Sequence, residues 1–244
     1  MKLSIIISIL NSQEILRRQL LWFQRMDLPD DIEIIFLDDG SDPPLHDNGI
    51  KVKNFTLYPT NDKRAWTVEL ARNLGAKMAK GEYLLMTDID YIIPQSAIMD
   101  VYNLKEDKMR FRREFGVLDE NGELKRDYDT LREYGLLESR IKERGKHMPP
   151  HPNNFVMRKT TFFELGGYTE ERVGVPYPNG GDSHFKRTWA RTYNAGKVTM
   201  CEYRPTLYMF PNGQFCGHVD YNPFGLFHTL SRVSERNVLC RKSA

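Results

Sequence analysis

Residues 81–94 read GEYLLMTDIDYIIP, an apolar run that ends in Asp88 and Asp90 and resumes directly after them. The run 83–87 has the length and the continuous apolar character of a strand buried on both faces, as the strands of parallel sheets are. We therefore predict a strand over 83–87, with both aspartates just past its carboxyl end.

Short apolar runs alternate with segments of helical periodicity through the first hundred residues. This pattern predicts strands at 3–9, 32–37, 53–58 and 83–87, and helices at 12–24 and 67–79. An alternation of strands and helices is typical of α/β folds. We expect a mostly parallel central sheet flanked by helices.

Composition describes an ordinary globular chain. The 244 residues are 40% hydrophobic and 28% charged, and the formal net charge of +2 gives no global field that would favour a polyanionic partner. Three cysteines without metal-ligand spacing favour reduced thiols and a cytoplasmic location. No apolar run approaches the roughly 18 residues of a membrane span, so we predict no transmembrane segment.

Polar loops follow three of the predicted strands. They are Asn11-Ser12, Asp38-Asp39-Gly40-Ser41 and Asp88-Ile89-Asp90. In open α/β sheets ligands bind beyond the carboxyl ends of the strands. Two carboxylates two residues apart on an extended segment point to the same side and can share a divalent cation. A solvated turn is the alternative reading of an Asp-x-Asp pair taken alone.

Several ordered segments together resemble the family 2 glycosyltransferases, which have the GT-A fold. They are SIIISILN (4–11), EIIFLDDGS (33–41), ARNLGAKMAKGEYLLMTDID (71–90), FELGGYTEE (163–171) and NGGDSHFKRTW (179–189). The resemblance implies one Rossmann-like GT-A domain over 1–244, with a small antiparallel part. Residues 1–95 would form the nucleotide-sugar-binding half and 96–244 the acceptor and catalytic half.

The resemblance also implies an activity. A sugar would move, with inversion, from a nucleotide-diphosphate sugar, most often a UDP-sugar, to the hydroxyl of a saccharide or another acceptor, assisted by Mn²⁺ or Mg²⁺. It assigns the nucleotide to Asn11, Asp39, Arg72 and Asp88, and the metal to Asp88, Asp90 and a late histidine, His228 or else His218. Asp39 would pair with the base, whereas Asp38 would accept backbone amides of its turn. Arg72 would reach the diphosphate or brace the acidic loops.

The acceptor side of the family maps onto the second half of the chain. The resemblance makes Asp182 the general base, although Gly181 stands where the family usually has glutamate; His184 is the alternative base. His151, Asn153 and Asn154 would contact the acceptor or the donor sugar. Their alternative role is turn chemistry among neighbouring prolines.

The segment between the two halves departs most from the family. Its pattern predicts a strand over 108–115 with Arg110, Arg112 and Glu114 on one face, a turn at 119–122 and a charged helix over 128–146. We expect this segment to select the acceptor. One alternative acceptor is DNA with hydroxymethylated bases, held by the basic stretches MRFRR and RIKERGKH. A second alternative, suggested by Gly181, is an inactive module that only binds sugar nucleotides.

Overall fold

The computed structural model of the chain describes residues 1–64, 67–136, 148, 150–171, 173 and 181–211. The strands are β1 (Leu3–Ile9), β2 (Ile32–Asp38), β3 (Phe55–Pro59), β4 (Tyr83–Asp88), β5 (Tyr91–Ile92), β6 (Lys108–Arg110), β7 (Arg112–Phe115), β8 (Val117–Leu118), β9 (Leu124–Lys125), β10 (Phe155–Arg158) and β11 (Thr206–Met209). The helices are α1 (Gln13–Gln24), α2 (Val68–Met78), α3 (Gln95–Met99), α4 (Tyr128–Glu133), α5 (Lys159–Glu164) and α6 (Gly181–Asn194), and a 3-10 turn follows α3 at Asp100–Asn103.

The largest sheet has six strands in the order β3-β2-β1-β4-β10-β6. Its first four strands are parallel, whereas β10 runs antiparallel to β4 and β6 runs antiparallel to β10. Every residue of β1 and β2 is buried, as expected for strands covered on both faces. The predicted α/β fold with a mostly parallel central sheet is confirmed.

Helices cover both faces of this sheet and create two apolar cores. On one face Ile5 and Ile7 of β1 pack with Ile15 and Leu16 of α1. On the other face Ile6 packs with residues of α2, α5 and α6, among them Ala71, Phe162 and Phe185. The alternation along β1 follows from the two-residue period of a strand, which points successive side chains to opposite faces.

The antiparallel part lies beside the central sheet. Strands β5, β11 and β7 form a three-stranded sheet in that order, and β8 pairs with β9 as a hairpin. The predicted turn at 119–122 is confirmed, since the Gly122 N–H donates to the Asp119 carbonyl at 2.9 Å. Of the helix predicted over 128–146, the structure shows Tyr128–Glu133; residues 137–147 lie outside the described residues.

The prediction of one strand over 108–115 is wrong. β6 pairs with β10 in the six-stranded sheet, whereas β7 pairs with β11 in the three-stranded sheet. Phe111, between them, is fully buried. The chain therefore changes sheets at Phe111, and Arg110 does not share a strand face with Arg112 and Glu114.

The six-stranded sheet takes strands from both halves of the sequence, because β6 and β10 extend a sheet begun by β1 to β4. The assignment of 1–244 to a single domain stays a prediction. Within the described residues, no helix combines the length and the apolar character needed to cross a membrane.

Candidate active site

The carboxyl ends of β1, β2 and β4 lie side by side at one edge of the six-stranded sheet. The strand register places Ile9 beside Asp38 and Ser8 beside Asp88. The three polar loops that follow these strands therefore meet at this edge, where α/β proteins bind ligands.

Asn11 joins the loop after β1 to the loop after β2. Its backbone is left-handed, with φ 49°, a conformation that asparagine tolerates better than most residues. The Asn11 N–H donates to Ser41 Oγ at 2.8 Å, and Asn11 Oδ1 accepts from the Asp42 N–H at 2.8 Å. The side chain thus fixes the spacing of the two loops, and its contact with a nucleotide stays a prediction.

Asp38 is buried and organises the turn after β2. Its Oδ1 accepts from the Ser41 N–H at 2.9 Å and its Oδ2 accepts from the Leu45 N–H at 3.0 Å, which confirms the predicted role. Gly40 in this turn has φ 81°, and a Cβ added there would lie 1.9 Å from the Asp62 carbonyl oxygen. Only glycine fits this position without a shift of the backbone.

Asp39 presents a buried carboxyl group in the same turn. Its Oδ1 has no hydrogen-bond partner among the described residues. Burial is the main reason that the pKa of Asp39 rises to about 6; a side-chain hydrogen bond with Thr67 opposes the rise, and the charge of Asp62 adds to it. A buried oxygen without a partner is a place where the N–H of a ligand would be accepted.

Arg72 connects helix α2 to the Asp-x-Asp loop. Its side chain is buried, and Nη2 donates to Asp88 Oδ1. The guanidinium also lies 5.4 Å from the centroid of the Tyr168 ring. The arginine therefore braces the acidic loop, which is one of the two roles expected for it; contact with a diphosphate stays a prediction.

The Asp88–Asp90 loop is held by residues distant in sequence. Gln19 Nε2 of α1 donates to the carbonyl oxygens of Ile89 and Tyr91, at 3.2 and 2.9 Å. The Phe210 N–H donates to the Asp90 carbonyl oxygen at 3.0 Å. The position of the loop is therefore set before any ligand arrives.

The carboxyl group of Asp90 is in an unfavourable electrostatic environment. Burial first, and then the charge of Asp88, raise the pKa of the Asp90 carboxyl group well above its usual range. A divalent cation between these carboxylates would relieve their repulsion, and carboxylate oxygens are ligands that Mg²⁺ and Mn²⁺ accept. In the described part of the chain, no group of three or more His, Cys, Asp or Glu side chains is placed to hold a metal.

His151 lies closer to the acidic loop than sequence reasoning expected. Its Nδ1 is 3.8 Å from Asp88 Oδ2 and accepts from the Asn153 N–H at 3.4 Å. The imidazole also lies 6.3 Å from the Tyr91 ring, centroid to centroid. Predicted only as a sugar or acceptor contact, His151 thus borders the proposed metal side of the site as well.

Asn153 and Asn154 precede β10 at the same edge. Asn154 is fully buried, and its Oδ1 accepts from Thr87 Oγ1 at 3.0 Å. This hydrogen bond helps to hold the end of β4 in place. Asn153 Oδ1 and Asn154 Nδ2 are buried and have no hydrogen-bond partner among the residues described. Their contact with an acceptor or sugar stays a prediction.

The structure brings the backbone of Asp182 into the second position of α6, whereas its side chain lies outside what the structure describes. His184 of the same helix is exposed. His218 and His228 also fall outside the described residues, so the predicted third metal ligand is untested. The roles of all three histidines and of Asp182 stay predictions.

Sequence reasoning missed the residues that support the site. Gln19 and Tyr168 are examples, together with Asn73, whose side chain exchanges two hydrogen bonds with the Tyr168 backbone at 2.8 and 3.0 Å. Asn73 Nδ2 also donates to Glu170 Oε1 at 2.8 Å. These supporting residues are hard to identify from sequence, because a polar residue on a helix is usually solvated. Asn73 does directly follow Arg72 in a quoted motif.

A sequence model described as glycosyltransferase like family 2 matches residues 4–180. The chain belongs to this family. The match spans the three loops at the sheet edge, Arg72 and the segment that contains Tyr168, so the family assignment and the geometry concern the same residues.

One curated relative of this family 2 chain is the poly(ribitol-phosphate) beta-N-acetylglucosaminyltransferase TarP of Staphylococcus aureus (strain N315). It is 30% identical over 109 residues, which are 42% of this chain and 32% of TarP. The chain thus spans about a third of the length of that relative.

Solved structures of low sequence identity share the fold. Residues 1–349 of S. aureus TarS superpose with a TM-score of 0.53 at 16% identity, covering 100% of this chain and 73% of that one. The same TarS fragment in complex with UDP-GlcNAc gives 0.51 at 19%, covering 85% and 58%. The mannosyltransferase PcManGT from Pyrobaculum calidifontis, in complex with GDP-Man and Mn²⁺, gives 0.52 at 15%, covering 86% and 56%. These similarities confirm the predicted GT-A fold.

Proposed function

We propose that the protein is a metal-dependent glycosyltransferase that moves a sugar from a UDP-sugar to a hydroxyl acceptor with inversion. The observation that carries the proposal is the convergence of Asp39, Arg72 and the Asp88–Asp90 pair at the carboxyl edge of the sheet. Family membership supports the reaction class. The TarS complex with UDP-GlcNAc supports a UDP-sugar as donor.

The donor nucleotide would lie across the loops after β1 and β2. Asp39 Oδ1, buried and without a partner in the described chain, would accept the imide N–H of uracil. Asn11 fixes the width of this pocket through Ser41 and Asp42. Because these contacts are made by a rigid turn, little conformational entropy would be lost on binding.

The diphosphate would lie over the acidic loop, with a cation held by Asp88 and Asp90. The residues fit Mn²⁺ or Mg²⁺, which need few protein ligands because phosphate oxygens and water complete the shell. When bound, the cation would neutralise charge on the departing diphosphate. Arg72 keeps Asp88 in position through its ion pair.

The general base would be Asp182, in the first turn of α6. The stacking of Phe185 on Phe155, with ring centroids 5.7 Å apart, docks this helix on β10, and Phe155 lies beside Met86, two residues before Asp88. This docking supports a place for the first turn of α6 near the donor. Asp182 would take the proton of the acceptor hydroxyl as its oxygen attacks the anomeric carbon. His151, Asn153 and Asn154 would border the acceptor.

Titration calorimetry with UDP, in the presence and absence of Mn²⁺, tests the donor site. We expect Mn²⁺ to tighten UDP binding in the native protein, and Asp90→Asn to remove this increase, because the substitution deletes one charge of the proposed metal site. Asp129→Asn is the matched control, since the Asp129 side chain is 91% exposed on α4.

The expected control result is an unchanged Mn²⁺ effect in Asp129→Asn. If Asp90→Asn binds UDP with the native Mn²⁺ dependence, the metal assignment is wrong. If neither native protein nor control binds UDP, the donor assignment is wrong.

A further inference from the structure

Strand β6 carries two cations on the face that packs against α6. Lys108 and Arg110 are two residues apart and therefore point to the same face. Lys108 is buried, and its Nζ lies 4.4 Å from the Phe155 ring centroid and 4.6 Å from that of Trp189. Trp189 in turn stacks on Tyr193 at 6.1 Å. Lys108 and Arg110, with the rings beside them, form what we call the cationic cluster.

A third cation is brought to this place by the backbone. The Cys201 N–H donates to the Lys108 carbonyl oxygen at 2.8 Å, and the Arg112 N–H donates to the Pro205 carbonyl oxygen at 2.9 Å. The segment from 201 to 205 therefore runs beside β6, and it carries the half-buried Arg204. Burial first, and then the charge of Arg204, lower the pKa of Arg110.

These cations have no acidic partner in the described part of the chain. No ion pair within the described ranges involves Lys108, Arg110 or Arg204, and Arg110 Nε is buried without a hydrogen-bond partner there. Glu202 is exposed and pairs with neither arginine. By contrast, two other arginines near β4 are paired with acids. They are Arg72 and Arg158. Clustered cations of this kind are costly unless an anion joins them.

The cationic cluster lies on the half of the sheet that the proposed function gives to the acceptor. Because β6 and β4 are both antiparallel to β10, the carboxyl end of β6 reaches the same sheet edge as Asp88. Arg110 is opposite Phe155, which is opposite Met86, so Arg110 and Met86 are two strand spacings apart, about 10 Å. The strand that carries Arg110 is therefore separated by β10 from the strand that carries Asp88.

We propose that Arg110 and Arg204 bind a phosphate group carried by the acceptor, with Lys108 two residues before Arg110 on the same face of β6. The guanidinium fork matches phosphate oxygens and gives strong charge-assisted hydrogen bonds. This inference rests on the proposed function and names the class of its acceptor: a phosphorylated polyol or saccharide with a free hydroxyl. Duplex DNA is disfavoured, since recognition of DNA requires a run of phosphate contacts. Arg113, next in the basic stretch, instead donates to the Tyr91 hydroxyl at 3.0 Å.

Calorimetry with inorganic phosphate tests the cationic cluster in the full chain. We expect one saturable site in the native protein that UDP does not displace, and binding weakened about tenfold or more in Arg110→Gln and in Arg204→Gln. Lys77→Gln, which removes an exposed lysine from α2, should bind phosphate as the native protein does. UDP binding should be equal in all four proteins, which shows that the variants fold.

Phosphate binding that UDP displaces, or that survives both arginine substitutions, would overturn the proposal. Failure of the native protein to bind UDP would count against the proposed function instead. The phosphate result could still be interpreted in that case.

A transfer assay separates an acceptor phosphate from free phosphate. With saturating UDP-GlcNAc, we expect ribitol 5-phosphate to be a better acceptor than ribitol, and Arg110→Gln to reduce this preference by raising KM for the phosphorylated acceptor. Equal use of both acceptors by the native protein, or preferred transfer to duplex DNA, would show that the cationic cluster does not bind a phosphorylated polyol or saccharide.

Discussion

At the scale of single residues, Asp39 is a buried acid whose proposed role in binding comes at the expense of stability. Its carboxyl group is buried with one oxygen unpartnered in the described chain, and burial raises its pKa to about 6. Because the folded state holds the proton more tightly than the unfolded state, Asp39 favours folding below pH 4 and this contribution is lost as pH rises through about 6. At neutral pH the ionised carboxylate is destabilising.

We therefore predict that Asp39→Asn stabilises the fold and weakens uridine binding. At pH 7 the unfolding free energy should rise by about 1–3 kcal/mol, because a shift of one pKa unit is worth about 1.4 kcal/mol. The dependence of stability on pH between 4 and 6 should flatten. Urea denaturation at several pH values, with calorimetry of uridine, measures both effects. A variant that is less stable at pH 7 and binds uridine normally would contradict the assignment.

Gly40 supports the same turn through close packing, and Gly49 provides a matched control. Both have positive φ, 81° and 73°, but a Cβ at Gly40 meets the Asp62 carbonyl oxygen at 1.9 Å, whereas one at Gly49 meets nothing within 4 Å. Gly40→Ala should lose more stability than Gly49→Ala, whose cost is backbone strain of about 1–3 kcal/mol. Gly40→Ala should also weaken UDP binding. Equal losses in chemical denaturation would mean that the turn adapts to the added methyl group.

At the scale of elements, the docking of α6 on the sheet links the proposed acceptor side to the proposed donor side. Phe185 packs at 4.9 Å from Tyr168, ring centroid to centroid, and Tyr168 faces Arg72, which holds Asp88. One turn further along the same face of α6, Trp189 lies over Lys108. A shift of this helix would therefore disturb both the acidic loop and the cationic cluster.

Lys108 makes this docking sensitive to pH. Burial, with a smaller contribution from the charge of Arg110, lowers the pKa of Lys108 to about 7. The unfolded chain holds the proton more tightly, so stability rises with pH from about 7 towards 10.5. We predict that Lys108→Met reduces this rise by about 2 kcal/mol, since one unit is worth about 1.4 kcal/mol and attraction to the rings offsets part of the shift.

Thermal or urea unfolding from pH 7 to pH 10 measures this rise in stability. Lys105→Met is the control, because Lys105 is exposed and lies just before β6. An identical pH dependence in native protein and Lys108→Met would show that Lys108 does not titrate in this range.

The elements that the sequence predicted correctly are those specified by local pattern. The apolar runs of β1, β2 and β4 and the periodicity of α1 and α2 identify themselves without knowledge of their partners. The segment 108–115 could not be predicted in this way, because its division at Phe111 depends on pairing with β10 and β11, which lie far along the chain. Arg110 and Arg112, which belong to one basic stretch of the sequence, therefore lie in different sheets.

At the scale of the whole molecule, the site is assembled by contacts across long stretches of sequence. The loop residues Asp39, Asp88 and Asp90 were identified from their place after strands. The support that Gln19, Tyr168 and His151 give to these loops was not identified from the sequence. It arises from packing and from hydrogen bonds, which span 70 residues or more in the case of Gln19. Sequence alone thus predicts which residues carry the chemistry, and the fold shows which ones hold them in place.

The last prediction concerns the whole fold and the general base together. UDP-GlcNAc with Mn²⁺ at 100 times the dissociation constant should stabilise the native state by about 2.7 kcal/mol. For a chain of this size that corresponds to a rise in Tm of roughly 5–10 °C. Asp182→Asn should keep this rise, since the proposed base does not touch the nucleotide, but should slow transfer by about 10²–10⁴-fold.

Thermal shift and release of UDP, measured on the same preparations, give both quantities, with Glu164→Gln as a control because Glu164 is an exposed acid at the end of α5. Near-native turnover by Asp182→Asn would move the role to another group, with exposed His184 in the same helix the first to test. Loss of the Tm rise together with turnover would instead mean that the first turn of α6 helps to build the donor site. The comparison distinguishes these outcomes because binding enters the Tm through mass action, whereas proton removal enters only the rate.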